Sequence, residues 1–332
     1  MNRLSLRFAR LAGALLALNA CAGGQPPVAA SYSSAQSGAH AARGISVGSW
    51  MRTEAGGDDL VYVADALAGA VEVYSYPQLK RVGRLRGKEP VGDCADHAGN
   101  VWIIDRRKQT VAEYAHAGVK PLQTLQLGSP PSMGSQSCSV DSTTGDLAVT
   151  SGSLYVFPRA KAPPSKYDIH VFFGEVDYCS YDDRGNLYVD GSVGFDDSDL
   201  VAAVWELEKN QPPLRRVKFH DAVTFLRSGG IQWDGTQVAW GNFNEIGRDT
   251  QAIYQFKTQK QSGTITGTFN LRFSKSFPAQ FWIQGKTMIV PSYSVRNGAV
   301  AFFNYPAGDR PFAKILGLKE PLGVTYSAAA SR

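Results

Sequence analysis

The chain has 332 residues, of which 43% are hydrophobic, 11% aromatic and 19% charged, and it contains 34 Gly and 17 Pro. This apolar fraction can supply a packed core, which excludes a chain that is disordered throughout. The formal net charge is +5, from 34 basic and 29 acidic residues. Without Arg3, Arg7 and Arg10 the count is 31 against 29, about +2, which is too little to indicate a nucleic-acid-binding protein.

Residues 1–20 have the pattern of an export signal. Three arginines precede an apolar run at residues 11–18, which is too short to stay in a membrane as a spanning helix. The run continues into Leu18-Asn19-Ala20-Cys21, which resembles a bacterial lipobox because an aliphatic residue stands three positions before a cysteine. The resemblance implies that Cys21 becomes the mature N-terminus and carries lipid such as palmitate. The alternative is an ordinary secretion signal in which Cys21 has no role.

Residues 21–44 are predicted to form a flexible tether. They are rich in Ser, Ala and Gly and contain almost no large apolar side chain, so they bury too little surface to fold. Ala22, rather than Asp, follows Cys21. Resemblance to enterobacterial sorting signals therefore implies attachment to the outer membrane of the cell envelope, facing the periplasm or the exterior. Residues 45–332 are expected to form a single domain.

A repeat of strand-like segments organises residues 45–332. In each copy, a turn that ends in a polar residue precedes an alternating apolar strand, here called the second strand. The first apolar residues of these strands recur every 40 to 51 positions, at Leu60, Val101, Leu147, Leu187, Val238 and Met288. A period of about 40–50 residues built from strands is typical of a β-propeller or a similar array.

Four strands are predicted in each copy. A first strand precedes the turn and often ends in Asp, as at Asp96, Asp141, Asp182 and Asp234. A third strand, β-branched and aromatic, follows the second. The fourth strand is more polar, which suits an exposed edge. In the third copy the fourth strand is expected within residues 167–173.

The two ends of the chain are predicted to complete one blade together. The first copy has no first strand of its own, whereas Lys319-Glu320-Pro321-Leu322-Gly323 copies Lys88-Glu89-Pro90-Val91-Gly92, where a first strand begins. We therefore expect residues 322–326 to pair with the strand that starts at Leu60. The predicted fold is an all-β, six-bladed β-propeller with four-stranded blades, closed by N- and C-terminal strands in one blade.

The Pro-x-Gly-x-x-x-Asp and Gly-Asn-Val/Leu-x-Val units of these copies resemble NHL-repeat and gluconolactonase-like six-bladed propellers. The resemblance covers nearly all of residues 45–332, but one propeller scaffold hosts many unrelated functions. It implies a ligand site at the central mouth, where loops enter the first strands and leave the second strands. In gluconolactonase-like enzymes this site holds a divalent metal through carboxylates and amides, including a Glu where a first strand begins.

Five residues of these loops are candidates to bind a ligand or a divalent cation such as Ca²⁺ at the mouth: Glu89, Asp93, Asp177, Asn242 and Glu320. Glu89 and Glu320 each precede Pro, so each matches the Glu of the enzymes. The late catalytic Asp of these enzymes has no match in the chain, and no catalytic residue is assigned. The alternative is that the five side chains are solvated loop groups without a ligand.

Cys94, Cys138 and Cys179 are predicted at equivalent positions of successive first strands, ahead of the terminal Asp. Packed sheets lie about 10 Å apart, which is too far for a disulfide or a shared zinc ion. We therefore expect three buried free thiols that fill narrow space near the axis. No pair of histidines has ligand spacing, and all are expected at the surface: His40, His97, His116, His170 and His220.

Other motifs are few. The carboxylates of residues 196–199 suit Ca²⁺ but lack the EF-hand spacing, which leaves a polar hairpin loop as the alternative. Nucleophile-elbow, phosphate-loop and zinc-protease motifs are missing from the sequence. The sequence favours a monomeric, non-enzymatic scaffold, attached to a membrane by lipid, for a protein, peptide or glycan partner. The alternative is a metal-dependent hydrolase or lactonase at the mouth; nothing marks the site of a quinone-dependent oxidoreductase.

Overall fold

The computed structural model describes residues 48–128, 136–168, 173–194, 201–220, 228–242, 250–272, 277–278, 280–293 and 297–330. All of them belong to a compact unit that spans residues 46–332. The predicted signal peptide and tether, the acidic segment 196–199, His40 and His170 lie outside the described residues. In the described part of the chain, no helix is long and apolar enough to cross a membrane.

The described residues form strands and three short 3₁₀ helices, at Thr53–Gly57, Pro158–Ala160 and Glu208–Asn210. In chain order the strands are β1 (Trp50–Met51), β2 (Asp59–Asp65), β3 (Ala70–Tyr76), β4 (Arg81–Arg86), β5 (Pro90–Ala95), β6 (Val101–Asp105), β7 (Thr110–Tyr114), β8 (Pro121–Gln126), β9 (Cys138–Val140), β10 (Leu147–Thr150), β11 (Leu154–Phe157), β12 (Ser165–Tyr167), β13 (Phe173–Tyr181), β14 (Leu187–Gly194), β15 (Val201–Leu207), β16 (Arg215–Arg216), β17 (Lys218–Phe219), β18 (Ser228–Trp233), β19 (Val238–Asn242), β20 (Thr250–Gln259), β21 (Ser262–Arg272), β22 (Phe277–Pro278), β23 (Trp282–Gln284), β24 (Thr287–Tyr293), β25 (Gly298–Asn304), β26 (Gly308–Leu318) and β27 (Pro321–Ser327).

Antiparallel series of consecutive strands are the basic unit of the fold. Strands β5 to β8, β9 to β12 and β13 to β16 each form a four-stranded sheet in chain order. Strands β18 to β21 form a further series, and β22 to β26 form another. A single parallel pair, Leu271 opposite Asp309, joins these two series into one ten-stranded sheet. The all-β prediction with four-stranded sheets is therefore confirmed.

The remaining sheet unites both ends of the described chain, in the order β1-β4-β3-β2-β27. Strand β27 runs antiparallel to β2, with Val61 opposite Tyr326. The predicted pairing of residues 322–326 with the strand that starts at Leu60 is confirmed. The sequence does not predict β1, which pairs with β4 at the outer edge, because two residues are too few to show an alternating pattern.

Hydrophobic side chains pack between neighbouring sheets. Tyr188 and Val204 of the β13–β16 sheet, for example, pack against Trp240 and Phe256 of the β18–β21 series, and all four are buried. The rings of Tyr188 and Phe256 meet edge to face with centroids 6.2 Å apart, a favoured arrangement of aromatic pairs. The first strands β5, β9, β13, β18, β23 and β27 all contribute to the wall of one central cavity, so they surround an axis.

Side chains connect these innermost strands to one another. Each connection is a backbone N–H group that donates to a side-chain oxygen of the preceding first strand. The three bonds are Tyr181 N–H to Ser139 Oγ at 2.9 Å, Trp233 N–H to Ser180 Oγ at 2.9 Å, and Ile283 N–H to Gln232 Oε1 at 2.6 Å. Polar residues in the first strands therefore hold the sheets together around the axis.

The expectation of three free thiols is wrong for two of the cysteines. Cys94 and Cys138 form a disulfide, with Cα atoms 5.5 Å apart. Cys179 is buried and is the free cysteine among the described residues. Cys21 lies outside them. The disulfide joins the first strands of two successive sheets, β5 and β9.

The register of the first strands explains the error. Cys138 and Cys179 each lie opposite the third residue of their second strands. Cys94 instead lies opposite Trp102, the second residue of its second strand. A shift of one residue turns a side chain to the other face of its sheet, so Cys94 faces the sheet that carries Cys138. The three positions are not equivalent, and the spacing of about 10 Å between sheet centres does not apply to this pair.

Candidate functional site

Glu89 and Glu320 lie at the mouth, in two copied Lys-Glu-Pro loops. The Asp65 carboxylate accepts the N–H groups of Lys319 and Glu320, both at 2.8 Å. The Asp105 carboxylate accepts the two corresponding N–H groups of the other loop, at 2.7 and 3.2 Å. Each Asp ends a second strand. The repeated motif therefore fixes the backbone of the loops to the scaffold.

The side chains of Glu89 and Glu320 share one cationic neighbour. Glu89 forms an ion pair with Arg106. Burial raises the pKa of Glu320, the positive charge of Arg106 lowers it, and the negative charges of Glu89 and Asp65 raise it. The two predicted candidates therefore lie in one electrostatic environment, in which Arg106 already balances part of the negative charge.

Asp93 lies deeper along the axis and is not a loop residue. Its side chain is fully buried, and neither carboxylate oxygen has a hydrogen-bond partner among the described residues. Burial raises the pKa of this carboxyl well above its usual range. Gly323 of β27 lies directly beside it, since a Cβ at Gly323 would come within 3.0 Å of Asp93 Oδ1. The neutral, protonated carboxyl is the form that this environment favours.

Asp177 and Asp190 form a buried acidic pair in the β13–β16 sheet. Asp177 lies at an irregularity of β13 and accepts a hydrogen bond from the Ser228 hydroxyl. Asp190, in β14, accepts the Gly229 N–H group at 3.3 Å. Burial, and then the negative charge of Asp177, raise the pKa of Asp190 well above its usual range. The pair favours one retained proton over two negative charges.

Among the five predicted mouth residues, Glu89 and Glu320 share one electrostatic environment. Asn242 ends β19, and its side chain lies outside the described residues. No group of three or more His, Cys, Asp or Glu side chains in the described part of the chain is arranged to hold a metal ion. The connecting segments 129–135, 169–172, 195–200, 221–227, 243–249, 273–276 and 294–296 also lie outside the described residues.

An axial cavity of about 350 Å³ lies at the opposite end of the axis. Its wall consists mainly of the last residues of the first strands and the turn that begins at Asp96 and His97. The face at this end is here called the turn face, because it carries the turns between first and second strands, including residues 96–100, 182–186 and 234–237. The volume falls within the range of about 300–1,000 Å³ that is common for small-molecule sites.

Aromatic and amide side chains form part of the wall of the axial cavity. They include Tyr181, Trp233, Trp282, Tyr326, Gln280 and Gln284. Trp282 packs both against the cluster that contains Tyr326 and against the cluster that contains Cys94, so its ring reaches across the end of the axis. The Cys94–Cys138 disulfide and Cys179 also line the cavity. The aromatic residues at the ends of several first strands are the sequence signal from which this site could have been predicted.

His116 differs from the predicted surface histidine. It is half-buried, with Nδ1 2.7 Å from Ser327 Oγ and Nε2 3.0 Å from the Asp58 carbonyl oxygen. Burial lowers the pKa of its imidazole. These contacts attach the segment after β7 to the C-terminal strand, which is a structural role. His97 and His220 are exposed, as predicted.

No protein-family model and no curated protein matches the chain. Solved structures do match it. A chain from a nidogen/laminin complex has 13% identity and a TM-score of 0.61, covering 83% of this chain and 100% of that one. A protein of unknown function from Bacteroides caccae has 10% identity and a TM-score of 0.57, covering 81% and 99%. A luciferin-regenerating enzyme has 12% identity and a TM-score of 0.52, covering 72% and 80%.

Identities this low show the fold alone. With its four-stranded antiparallel sheets around an axis and its likeness to these structures, the chain is a β-propeller. Propellers bind partners in some proteins and catalyse reactions in others.

Proposed function

We propose that the chain is a lipid-anchored protein of the bacterial cell envelope whose six-bladed propeller is a binding scaffold, with the axial cavity as its binding site. The observation that carries the proposal is the cavity itself, a concave space of about 350 Å³ lined by aromatic and amide side chains. Concave sites that combine apolar surface with polar groups are the usual sites of small-ligand recognition.

The packing of the core supports six blades. Among the described residues the core forms six hydrophobic clusters, each between two neighbouring strand series, and together they connect the series in a ring. The cluster between β24–β25 and the sheet of β2 and β27 completes the ring. The ten-stranded sheet then contains two blades that touch at their outer strands, β21 and β26, through a single residue pair.

Binding is a better-supported function than metal-dependent hydrolysis at the mouth. Glu89 is paired with Arg106, Asp93 favours its neutral form, and Asp177 accepts a hydrogen bond from Ser228. Because of this ion pair, this neutral carboxyl and this hydrogen bond, the three side chains offer little negative charge to a shared metal ion. The hydrolase or lactonase alternative has no comparable supporting observation among the described residues.

Photo-crosslinking in the cell envelope tests the binding site. A photo-reactive residue at Gln284, which is exposed and lines the cavity, is expected to give crosslinked products. The matched control carries the same residue at Leu122, which is 59% exposed on the outer strand β8. Identical products at both positions, or none at Gln284, would show that the cavity is not the binding site.

Membrane attachment through Cys21 is the second part of the proposal. It rests on the lipobox-like sequence 18–21 and on the composition of residues 21–44. Cys21→Ser is expected to move the protein from the membrane fraction to the soluble fraction of lysed cells. Cys179→Ser is the matched control, because it also removes a thiol, and it should leave fractionation unchanged. A Cys21→Ser protein that stays with the membranes contradicts the lipid anchor.

A further inference from the structure

The outer strand β26 presents both apolar and positively charged side chains to solvent. Phe312 is 55% exposed and Leu316 is 71% exposed. Arg310 and Lys314 are exposed on the same strand, and the exposed Lys319 follows it directly. Residues 310–319, here called the β26 surface, therefore combine two exposed hydrophobic side chains with three exposed cations.

Negative charge next to the β26 surface is already balanced. Asp309, which comes directly before it, forms an ion pair with Arg272 in which the charged atoms are 2.9 Å apart. Glu320, which comes directly after it, belongs to the mouth and lies in the field of Arg106. The β26 surface is therefore complementary to a partner with negative charge.

This combination distinguishes β26 from the other described strands. Large hydrophobic side chains are exposed at four described positions: Leu67, Leu122, Phe312 and Leu316. Leu67 lies in the turn between β2 and β3, and Leu122 lies in β8, which contains no charged residue. The outer strand β16 shows the reverse case, because it consists of two exposed arginines without a hydrophobic side chain. Among the described strands, only β26 has exposed cations beside exposed large hydrophobic residues.

The edge of β26 is a poor template for a strand of another protein. Phe302 of β25 lies opposite Ala313 and Asn304 lies opposite Gly308, so residues 309–312 bulge out against a single residue of β25. On its outer side, β26 pairs with β21 through Asp309. Bulges and lysines on an edge strand oppose the addition of a further strand. The β26 surface therefore suits a partner that is contacted by side chains.

The predicted tether joins the propeller at its rim, close to β26. The described chain begins at Gly48 and enters β1, the outermost strand of its sheet. That sheet packs against the β22–β26 series. As a random coil, residues 21–47 span about 30 Å. A lipid group on Cys21 would therefore hold the β26 surface within reach of the bilayer.

From the charge, the exposed hydrophobic side chains and the tether, we propose that the β26 surface docks on an anionic lipid bilayer. The three cations pair with lipid phosphates, while Phe312 and Leu316 enter the boundary between headgroups and acyl chains. At this depth water and headgroups still satisfy the free backbone groups of the strand edge. The inference rests on the membrane attachment proposed above, and it adds a direct contact between the folded domain and lipid.

The position of β26 determines how such a contact orients the propeller. The first strands surround the axis, whereas β26 is the fourth strand of its series and lies at the rim. Docking through the rim lays the axis along the membrane plane. Both ends of the axis, including the axial cavity, then stay accessible to a partner.

Photo-crosslinking to lipid tests the contact. The protein isolated from the cell envelope is mixed with vesicles of phosphatidylcholine that contain or lack phosphatidylglycerol. A photo-reactive residue at Leu316 is expected to form lipid adducts, at least about fivefold more on the vesicles that contain the anionic lipid. The matched control carries the same residue at Leu122, which is 59% exposed on a strand without charge, and should form few adducts on either vesicle.

Charge variants test the contribution of the cations. Arg310→Gln/Lys314→Gln should lower the adduct yield at Leu316 at least about fivefold, because each cation near an anionic surface adds attraction of this order. High salt should have the same effect, since it screens exposed charges. Arg215→Gln/Arg216→Gln is the matched control: it removes two exposed cations from β16 and should leave the yield unchanged. All of these variants change exposed side chains and should keep the urea midpoint of the parent protein.

The anchor and the contact can fail separately. Retention of the protein on vesicles after a high-salt wash reports the anchor, whereas the lipid adduct at Leu316 reports the contact. Adducts selective for Leu316 without retention support the contact and remove the anchor. Absence of adducts at Leu316, yields equal to those at Leu122, or yields that neither phosphatidylglycerol nor Arg310→Gln/Lys314→Gln changes overturn the contact. In the native envelope, adducts of Leu316 with an acidic protein instead of phospholipid would also overturn it.

Discussion

Removing the disulfide between Cys94 and Cys138 tests whether the registers of β5 and β9 place these two side chains face to face. The two residues lie on β5 and β9 and are separated by 44 positions in sequence. Replacing both with Ala removes the cross-link. Ala is preferable to Ser here, because both side chains are buried and a Ser hydroxyl without a partner would add about 1–3 kcal/mol of its own.

The expected loss of stability follows from the length of the loop that the disulfide closes. The entropy that a cross-link removes from the unfolded chain grows with the logarithm of loop length, and a loop of this size corresponds to about 4 kcal/mol. Measured losses for native disulfides run from about 2 to 5 kcal/mol. Cys94→Ala/Cys138→Ala should therefore unfold at a clearly lower denaturant concentration than the parent protein.

Urea unfolding with and without a reducing agent measures the effect. Reductant should lower the midpoint of the parent protein towards that of the double variant and leave the double variant unchanged. Cys179→Ala is the matched control: it removes a buried thiol at a cost of about 1 kcal/mol and should keep the full sensitivity to reductant. Alkylation of both Cys94 and Cys138 in the unreduced, unfolded protein, or a double variant as stable as the parent, would refute the register argument.

Two further predictions concern the closure and the buried carboxyl. Deleting the residues after Gly317 removes β27, which leaves β2 without its inner partner and exposes strand edges and apolar surface. Thermal unfolding of the truncated protein should therefore lose cooperativity or end in aggregation. A transition as sharp as that of the full chain would contradict closure by β2 and β27. For Asp93 the folded-state pKa lies well above its usual value, so folding takes up a proton and stability falls as the pH rises from about 4 through the folded-state pKa. Asp93→Asn should be more stable than the parent at pH 7 and lose this part of the pH dependence of urea unfolding, whereas Asp183→Asn, at an exposed turn, should change little. Destabilisation by Asp93→Asn at pH 7 would mean that the charged carboxylate is the form that the fold uses.

The repeat of second strands made the fold predictable from sequence. The apolar residues after each turn place both faces of a second strand in the cores between sheets: Leu60 and Tyr62 of β2 belong to one hydrophobic cluster, and Val61 and Val63 belong to the next. The copied Lys-Glu-Pro-x-Gly sequence predicts the pairing of β2 with β27 for the same reason, because it marks the start of a first strand at the far end of the chain. The local sequence pattern and the tertiary strand pairing agree here, so the sequence is sufficient to predict this part of the fold.

The prediction of three equivalent cysteines misses a signal that the sequence contains. Cys94 lies two residues before Asp96, whereas Cys138 and Cys179 lie three residues before Asp141 and Asp182. Cys94 is therefore shifted by one residue relative to the other two, and it lies opposite Trp102. An error of that size does not change the predicted fold, but it reverses the direction of the side chain. Chemistry that depends on which way a residue faces is therefore harder to predict than the strand that carries it.

The copied loops at the mouth have a structural explanation, apart from any ligand that they bind. The copied Lys-Glu-Pro loops are explained by their backbone, since the carboxylates of Asp65 and Asp105 bind the N–H groups of the loops. One of the two Glu side chains has a formal ion-pair partner, Arg106, while Ala66 occupies the corresponding position after Asp65. What the copies share thus serves the architecture.

Residues at one repeated position of the first strands differ in chemistry between the copies. One repeated position is occupied by Trp282, Gln232, Ser139 and Cys94 in four of the copies. Each of these residues comes directly before the residue that pairs with the first apolar residue of the second strand. All four line the axial cavity. Structural repetition built a symmetric ring of positions around the axis, and unequal side chains at those positions gave the cavity one aromatic side and one disulfide side. An asymmetric lining of this kind can orient a ligand, which a symmetric ring of equal side chains could not do.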